Sequence, residues 1–174
     1  MPGGLSMWGG IYAVLFSIST ILSHENPIRN GFPENLAESY VKYTLSDVEF
    51  QNNIVGKEIQ YSFYEQKKFG PLQRGRSISI TDQGGLWVGV GFVRKVKLND
   101  AFNFNFDFFP GVYLKNREED LGGWLMFRSG IELEYSINRN WKISLGYDHR
   151  SSGDIWKYNP GMETIKISLI KTRI

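Results

Sequence analysis

The chain contains no cysteine, which excludes a disulfide framework, a thiolate metal site and a cysteine nucleophile. It also lacks an apolar run of the length a membrane-spanning helix needs. The stretch from Trp8 to Leu22 falls short of the roughly 20 residues required. Charge of one sign is missing too: 20 Lys and Arg stand against 18 Asp and Glu, a formal net charge of +2. The basic residues are scattered rather than gathered into a stripe, so nucleic acid is not an expected partner. Histidine occurs at only two positions, 24 and 149. No cluster of metal-ligating residues is visible in the sequence, and no cofactor is expected. A mean hydropathy of −0.30 with 41% hydrophobic residues excludes a protein of several transmembrane helices. It does not exclude a membrane β-barrel, in which only alternate strand residues face lipid.

What is present leans toward β structure: 15% aromatic residues and 19 glycines. The N-terminal apolar stretch suits a secretory h-region, with Ile21-Leu22-Ser23 as a signal-peptidase site and His24 as the mature N-terminus. Residues 1–23 are therefore expected to be a signal peptide, although no Lys or Arg precedes the apolar run. Residues 24–38, with Pro27, Asn30, Gly31, Pro33 and Asn35, read as an irregular lead-in to a domain spanning 24–174.

From residue 39 onward there is no long run of helical period. Segments of period two follow at 39–50, 57–67, 72–81, 86–95, 101–114, 123–137, 140–151 and 162–173. In the fifth, Phe102, Phe104, Phe106 and Phe108 share one face, while Asn103, Asn105 and Asp107 share the other. In the fourth, Leu86, Val88, Val90 and Phe92 oppose Gly89 and Gly91. A soluble sandwich or barrel and a membrane barrel both produce this alternation. Three features favour the membrane. The segments run about 10–14 residues, as tilted spanning strands do, against the usual 5–6 of soluble sheets. Their number is even. Short links at 96–100 and 138–140 contrast with longer polar links at 116–122 and 152–162, the parity of short periplasmic turns and long outer loops. Trp87 and Trp124 are expected at outer strand ends and Trp141 at an inner end, as members of aromatic girdles. The fold predicted is an all-β, eight-stranded antiparallel transmembrane β-barrel of the bacterial outer membrane.

The chemistry concentrates in the last hairpin. The seventh segment places Trp141, Ile143, Leu145, Tyr147, His149 and Ser151 on one face, the face expected to meet lipid. His149 and Ser151 lie two residues apart, so their side chains are neighbours. Glu163 opens the eighth segment on the face of Ile165, Ile167 and Leu169, beside the top of the seventh in an antiparallel hairpin. Polar groups on a lipid-facing wall are unfavourable. Three of them converging form a serine-hydrolase set: Ser151 to attack, His149 to take its proton, Glu163 to hold the imidazole. Taken singly, each of the three is better explained by a strand leaving the membrane for a polar loop. An ordinary histidine base would lose activity as pH drops below about 6.5.

His149-Arg-Ser151, Gly153, and Asn159-Pro160-Gly161-Met162-Glu163 resemble the C-terminal hairpin of the PagL family, outer-membrane lipid A 3-O-deacylases (acyloxyacyl hydrolase-like). The His-x-Ser pair and the Glu twelve residues beyond the Ser match that family's catalytic spacing. The resemblance is specific over about residues 147–170; elsewhere it is a general similarity of pattern. It implies hydrolysis of the acyl chain esterified at the 3-position of lipid A, with lipopolysaccharide and outer-membrane lipids as partners. One residue departs: Ser152 stands where the family commonly has Asn. Asn159 and the backbone around Gly153 are the remaining candidates for an oxyanion hole, though Asn159-Pro160-Gly161 is also a plain turn sequence. Arg150 and Lys157 are candidates to hold the anionic substrate, with Trp156 and Tyr158 at headgroup level. The acidic run Glu118-Glu119-Asp120 reads as a solvated loop. A homodimer is left open. A small outer-membrane barrel without catalysis, structural or adhesive, and a soluble lipocalin-like carrier are the competing readings.

Overall fold

The structure is a computed structural model and describes residues 17–18 and 34–173. The expected signal peptide, its cleavage site and His24 lie outside the described residues, apart from Ser17 and Ile18. The chain forms β1 (Glu34–Leu36), β2 (Ser39–Phe50), β3 (Asn53–Phe69), β4 (Leu72–Thr81), β5 (Leu86–Lys97), β6 (Phe102–Leu114), β7 (Leu125–Ser136), β8 (Trp141–Ser151) and β9 (Met162–Arg173). Each of β2 to β9 pairs antiparallel with its neighbours in sequence, and β9 pairs with β2, so these eight strands close into a barrel. β1 adds three residues along the end of β3; the sequence had read this region as irregular. β3 also starts earlier than predicted. Gln51 and Asn52 carry φ values of 50° and 65°, the left-handed pair of a two-residue hairpin, and pairing resumes at once with Phe50 opposite Asn53. The strand ends Ser39 and Arg173 meet across β2 and β9. The longer links, 115–124 and 152–161, are at the opposite, loop-bearing end.

Alternation sets inside from outside. Leu45, Ile59, Ile80, Val90, Leu145, Ile165 and Ile167 are exposed on the outer wall, a surface suited to hydrocarbon. The inner positions are largely polar and charged, and they are buried. Arg128 binds Glu58 at 2.8 Å and Asp148 at 2.7 Å. Arg150 also binds Glu58. Lys166 bridges Glu132 at 3.0 Å and Asp148 at 3.3 Å, and Lys42 reaches Glu132 at 2.7 Å. Nearer the strand termini, Glu134 receives Lys95 and Lys142 at 3.1 and 3.0 Å. Ions this far from water persist because each carboxylate in the chain of pairs has a cationic partner.

Polar inner faces of a membrane barrel often line a hydrated lumen. Instead an aromatic column fills it. Tyr40 stacks on Tyr64 at 4.3 Å, Tyr64 meets Phe109 edge-on at 6.1 Å, and Phe109 meets Trp87 at 6.5 Å. Gly75, Gly89 and Gly91 give the rings room; a Cβ at Gly89 would lie 2.4 Å from the Trp87 ring. An interior void of about 10 Å³ remains among Lys42, Tyr64, Trp87 and Arg128, space for one water at most. Trp87 is therefore no girdle residue. It is 1% exposed and points inward under the Arg128 guanidinium, 5.2 Å from its ring centre. The alternation it shares with Gly89 and Gly91 puts it on the inner face. Trp124 is exposed, as expected of a girdle position. Pro110, inside β6, interrupts the β5 ladder: register with β5 skips from Phe108 to Gly111 while the β7 side stays continuous, as a residue without an N–H requires.

Candidate active site

β8 alternates sharply at its loop-bearing end. Asp148 and Arg150 point inward to Arg128 and Glu58, so His149 and Ser151 point to the outer wall. Register then fixes their neighbours. His149 lies opposite Ser129 of β7 and Glu163 of β9, and Glu163 lies opposite Glu49 of β2. The His149 Nδ1 to Glu163 Oε1 distance is 2.9 Å. A carboxylate can only accept here, so Nδ1 carries the proton and Nε2 presents its lone pair. Nε2 is buried and has no hydrogen-bond partner. Ser151, one step further along the same face and 7% exposed, is thus not hydrogen-bonded to the imidazole here. Such bonds are commonly long before substrate binds.

These side chains were expected on the face that meets lipid. They do lie on the outer face, but His149 and Ser151 are buried, His149 to 1% exposure, and Glu163 is half-buried. The end of the link 152–161 packs on the imidazole. Gly161, at φ 75°, sits against the ring, and a Cβ there would fall 2.5 Å from Cε1 and 3.3 Å from Nε2. Gly161 therefore does more than turn the chain. Phe127, opposite Ser151 in β7, stacks on Phe108 at 5.8 Å and forms an apolar floor beside Gly153.

The other predicted residues separate into two groups. Asn159 and Gly153 belong to the link that follows Ser151. Asn159 Oδ1 accepts the Ser152 N–H at 2.8 Å, and its Nδ2 donates to Asp154 Oδ1 at 2.8 Å. The Ser152 Oγ is buried without a partner. Trp156 packs on Gly123 and, at 6.3 Å, on Trp124, joining the two long links, while Lys157 and Tyr158 are exposed. Arg150 is elsewhere. It is 1% exposed inside the barrel, bound to Glu58 and facing the Tyr113 ring, so it cannot touch a headgroup. Its alternation with His149 and Ser151 gave that signal. The acidic run also divides. Glu118 is buried and accepts from Thr81 and from the Gly85 N–H, and only Glu119 and Asp120 are solvated. The Gly122 N–H, 2.8 Å from Asp120, and then Lys115 hold the Asp120 carboxyl below the usual range. Sequence reasoning missed Asp154 altogether, since a lone loop aspartate carries no signal. No group of metal-ligating residues occurs among the described residues.

Comparison with known proteins places this geometry. A crystal structure of the outer membrane enzyme PagL superposes with a TM-score of 0.59 at 10% identity, over 76% of this chain and 98% of that one. Neisserial surface protein A (NspA) gives 0.57 at 9% identity, over 80% and 99%. A de novo designed transmembrane β-barrel gives 0.60 at 9%, over 80% and 98%. At these identities the likeness establishes the fold, an outer-membrane barrel. No curated protein matches by sequence. The profile of the lipid A 3-O-deacylase (PagL) family, however, matches residues 39–171. The chain thus belongs to the PagL family of lipid A 3-O-deacylases and is a protein of the bacterial outer membrane.

Proposed function

We propose that the chain is a serine ester hydrolase that removes the 3-O-linked acyl chain of lipid A in the outer leaflet, with the loop-bearing end facing outward. The observation that carries the reading is the imidazole of His149: Nδ1 is tied to Glu163 at 2.9 Å, while Nε2 is buried, unpaired and on the face of Ser151. Ser151 Oγ attacks the ester carbonyl carbon as its proton passes to Nε2. The tetrahedral oxyanion collapses, the bond from the acyl carbon to the sugar's 3-oxygen breaks, and the proton moves from Nε2 to that departing oxygen. Water then attacks the acyl carbon as its proton passes to Nε2, the bond from that carbon to Ser151 Oγ breaks, Oγ takes the proton back, and the fatty acid leaves. Glu163 compensates the imidazolium formed in each step. The Gly153 N–H and Asn159 Nδ2 receive the oxyanion. Lys157 and Trp156, on the exposed link, meet the headgroup. A site on the outer wall suits a substrate that arrives sideways within the membrane. All three triad residues come from one hairpin, so the chemistry does not require a homodimer.

Mass spectrometry of lipid A from cells expressing the chain tests this. The expected result is loss of one 3-hydroxyacyl chain, abolished by Ser151→Ala and by His149→Ala. Unchanged lipid A from a correctly folded barrel would favour a non-catalytic surface protein.

A further inference from the structure

The link after the nucleophile is a built device. Ser152 to Ile155 form a tight reversal in which Gly153 and Asp154 carry φ values of 60° and 62°, and the Ile155 N–H returns to the Ser152 carbonyl at 3.3 Å. This is the pattern of a type I′ turn. Glycine takes such a conformation freely. Asp154 is one of only three non-glycine residues with positive φ among the described residues. Its side chain supplies a reason for its presence, because Asp154 Oδ1 accepts from Asn159 Nδ2 at 2.8 Å. On the other side of that carboxamide, Oδ1 accepts the Ser152 N–H at 2.8 Å. The two partners define the amide without ambiguity, since an N–H must meet an acceptor and a carboxylate must meet a donor. The carboxamide is clamped at both ends, and one N–H of Nδ2 is left over, since the group has two.

We infer that Asp154 is a positioning residue: it fixes the Asn159 carboxamide so that its remaining N–H is held for the oxyanion formed beside Ser151. The effect on rate rests on the hydrolase reading above, whereas the clamp itself does not. Without Asp154 the amide keeps only its Ser152 bond and can swing about it. The oxyanion donor is then present but no longer preorganised, and preorganisation is what makes such a donor effective.

The test uses the full chain refolded in detergent with purified lipid A. In Asp154→Gly the turn keeps its preferred backbone and loses only the carboxylate. The expected result is a fall in kcat of about 10–100-fold, less than the roughly 10²–10³ for deleting a donor outright. KM should stay within about twofold, and the temperature at which the folded gel band converts to the unfolded one should be unchanged or higher. Asp154→Asn tolerates the same backbone and restores an acceptor, so kcat should recover to within about threefold of wild type. A second readout does not depend on turnover. In the labelled protein one Asn159 side-chain amide proton should exchange slowly with solvent, and that protection should vanish in Asp154→Gly. Full kcat in Asp154→Gly, or a loss of kcat that follows a lower conversion temperature, overturns the inference, as does equal amide exchange in both proteins. A wild-type chain that leaves lipid A intact sinks the hydrolase reading instead, and the amide measurement still decides whether the clamp exists.

Discussion

At the scale of single residues, the site depends on what is missing at Gly161. Its φ of 75° already disfavours a side chain, and the His149 ring occupies the space a Cβ would take, 2.5 Å from Cε1. Gly161→Ala must push the imidazole away from Glu163 or the link away from the wall. A stability loss of about 1–3 kcal/mol is expected from the backbone alone, and lipid A deacylation should drop at least about 100-fold, as for a base moved by around an ångström. Denaturant titration and the lipid A assay measure the two effects, and near-wild-type activity would show that the ring is not pinned. His149, Ser151 and Glu163 were legible in the sequence because each breaks an apolar face of period two. The role of Gly161 was not, because its cause is a contact between the link and the ring rather than a local pattern. Asp154 was hidden for the same reason.

At the scale of elements, β8 serves two surfaces at once. Its outward residues carry the candidate triad, and its inward residues Asp148 and Arg150 tie it to β7 and, across the lumen, to β3 through Arg128 and Glu58. Glu58 is the junction, holding both arginines and accepting from Ser79 at 2.9 Å. Glu58→Gln keeps the shape and removes the charge, leaving Arg150 without its acid partner. The expected cost is about 3–5 kcal/mol, as for breaking a buried ion pair, read as a shift in the urea unfolding midpoint in lipid vesicles. An unshifted midpoint would mean that water reaches Arg150. The eight strands were predicted to within a few residues because inner and outer environments differ so strongly that the alternation survives in the sequence. The failures are local. Trp87 was assigned outward by its residue type although its neighbours Gly89 and Gly91 mark the inner face. Arg150 was offered to the headgroup although it alternates with two outward residues. In both cases residue type was given more weight than parity.

At the scale of the whole molecule, an eight-stranded barrel has a bore just wide enough for side chains, and this chain fills it with rings and paired ions. The barrel is expected to be non-conducting. Purified protein added to a planar bilayer should give no stable single-channel steps, and regular open levels would contradict the packed lumen. How tightly the core is filled could not be read from the sequence, since polar inward faces suit a water-filled pore and an ionic plug alike. The strict parity of the final hairpin has a further consequence for assembly. Sliding β8 by a single position against its neighbours would turn Ser151 into the sealed interior and force the Arg150 guanidinium into hydrocarbon. Misthreaded barrels are thus penalised by the same charges that lock correct ones, and a chain that has inserted stably has, by that fact, already set Ser151 on the outer side of its wall.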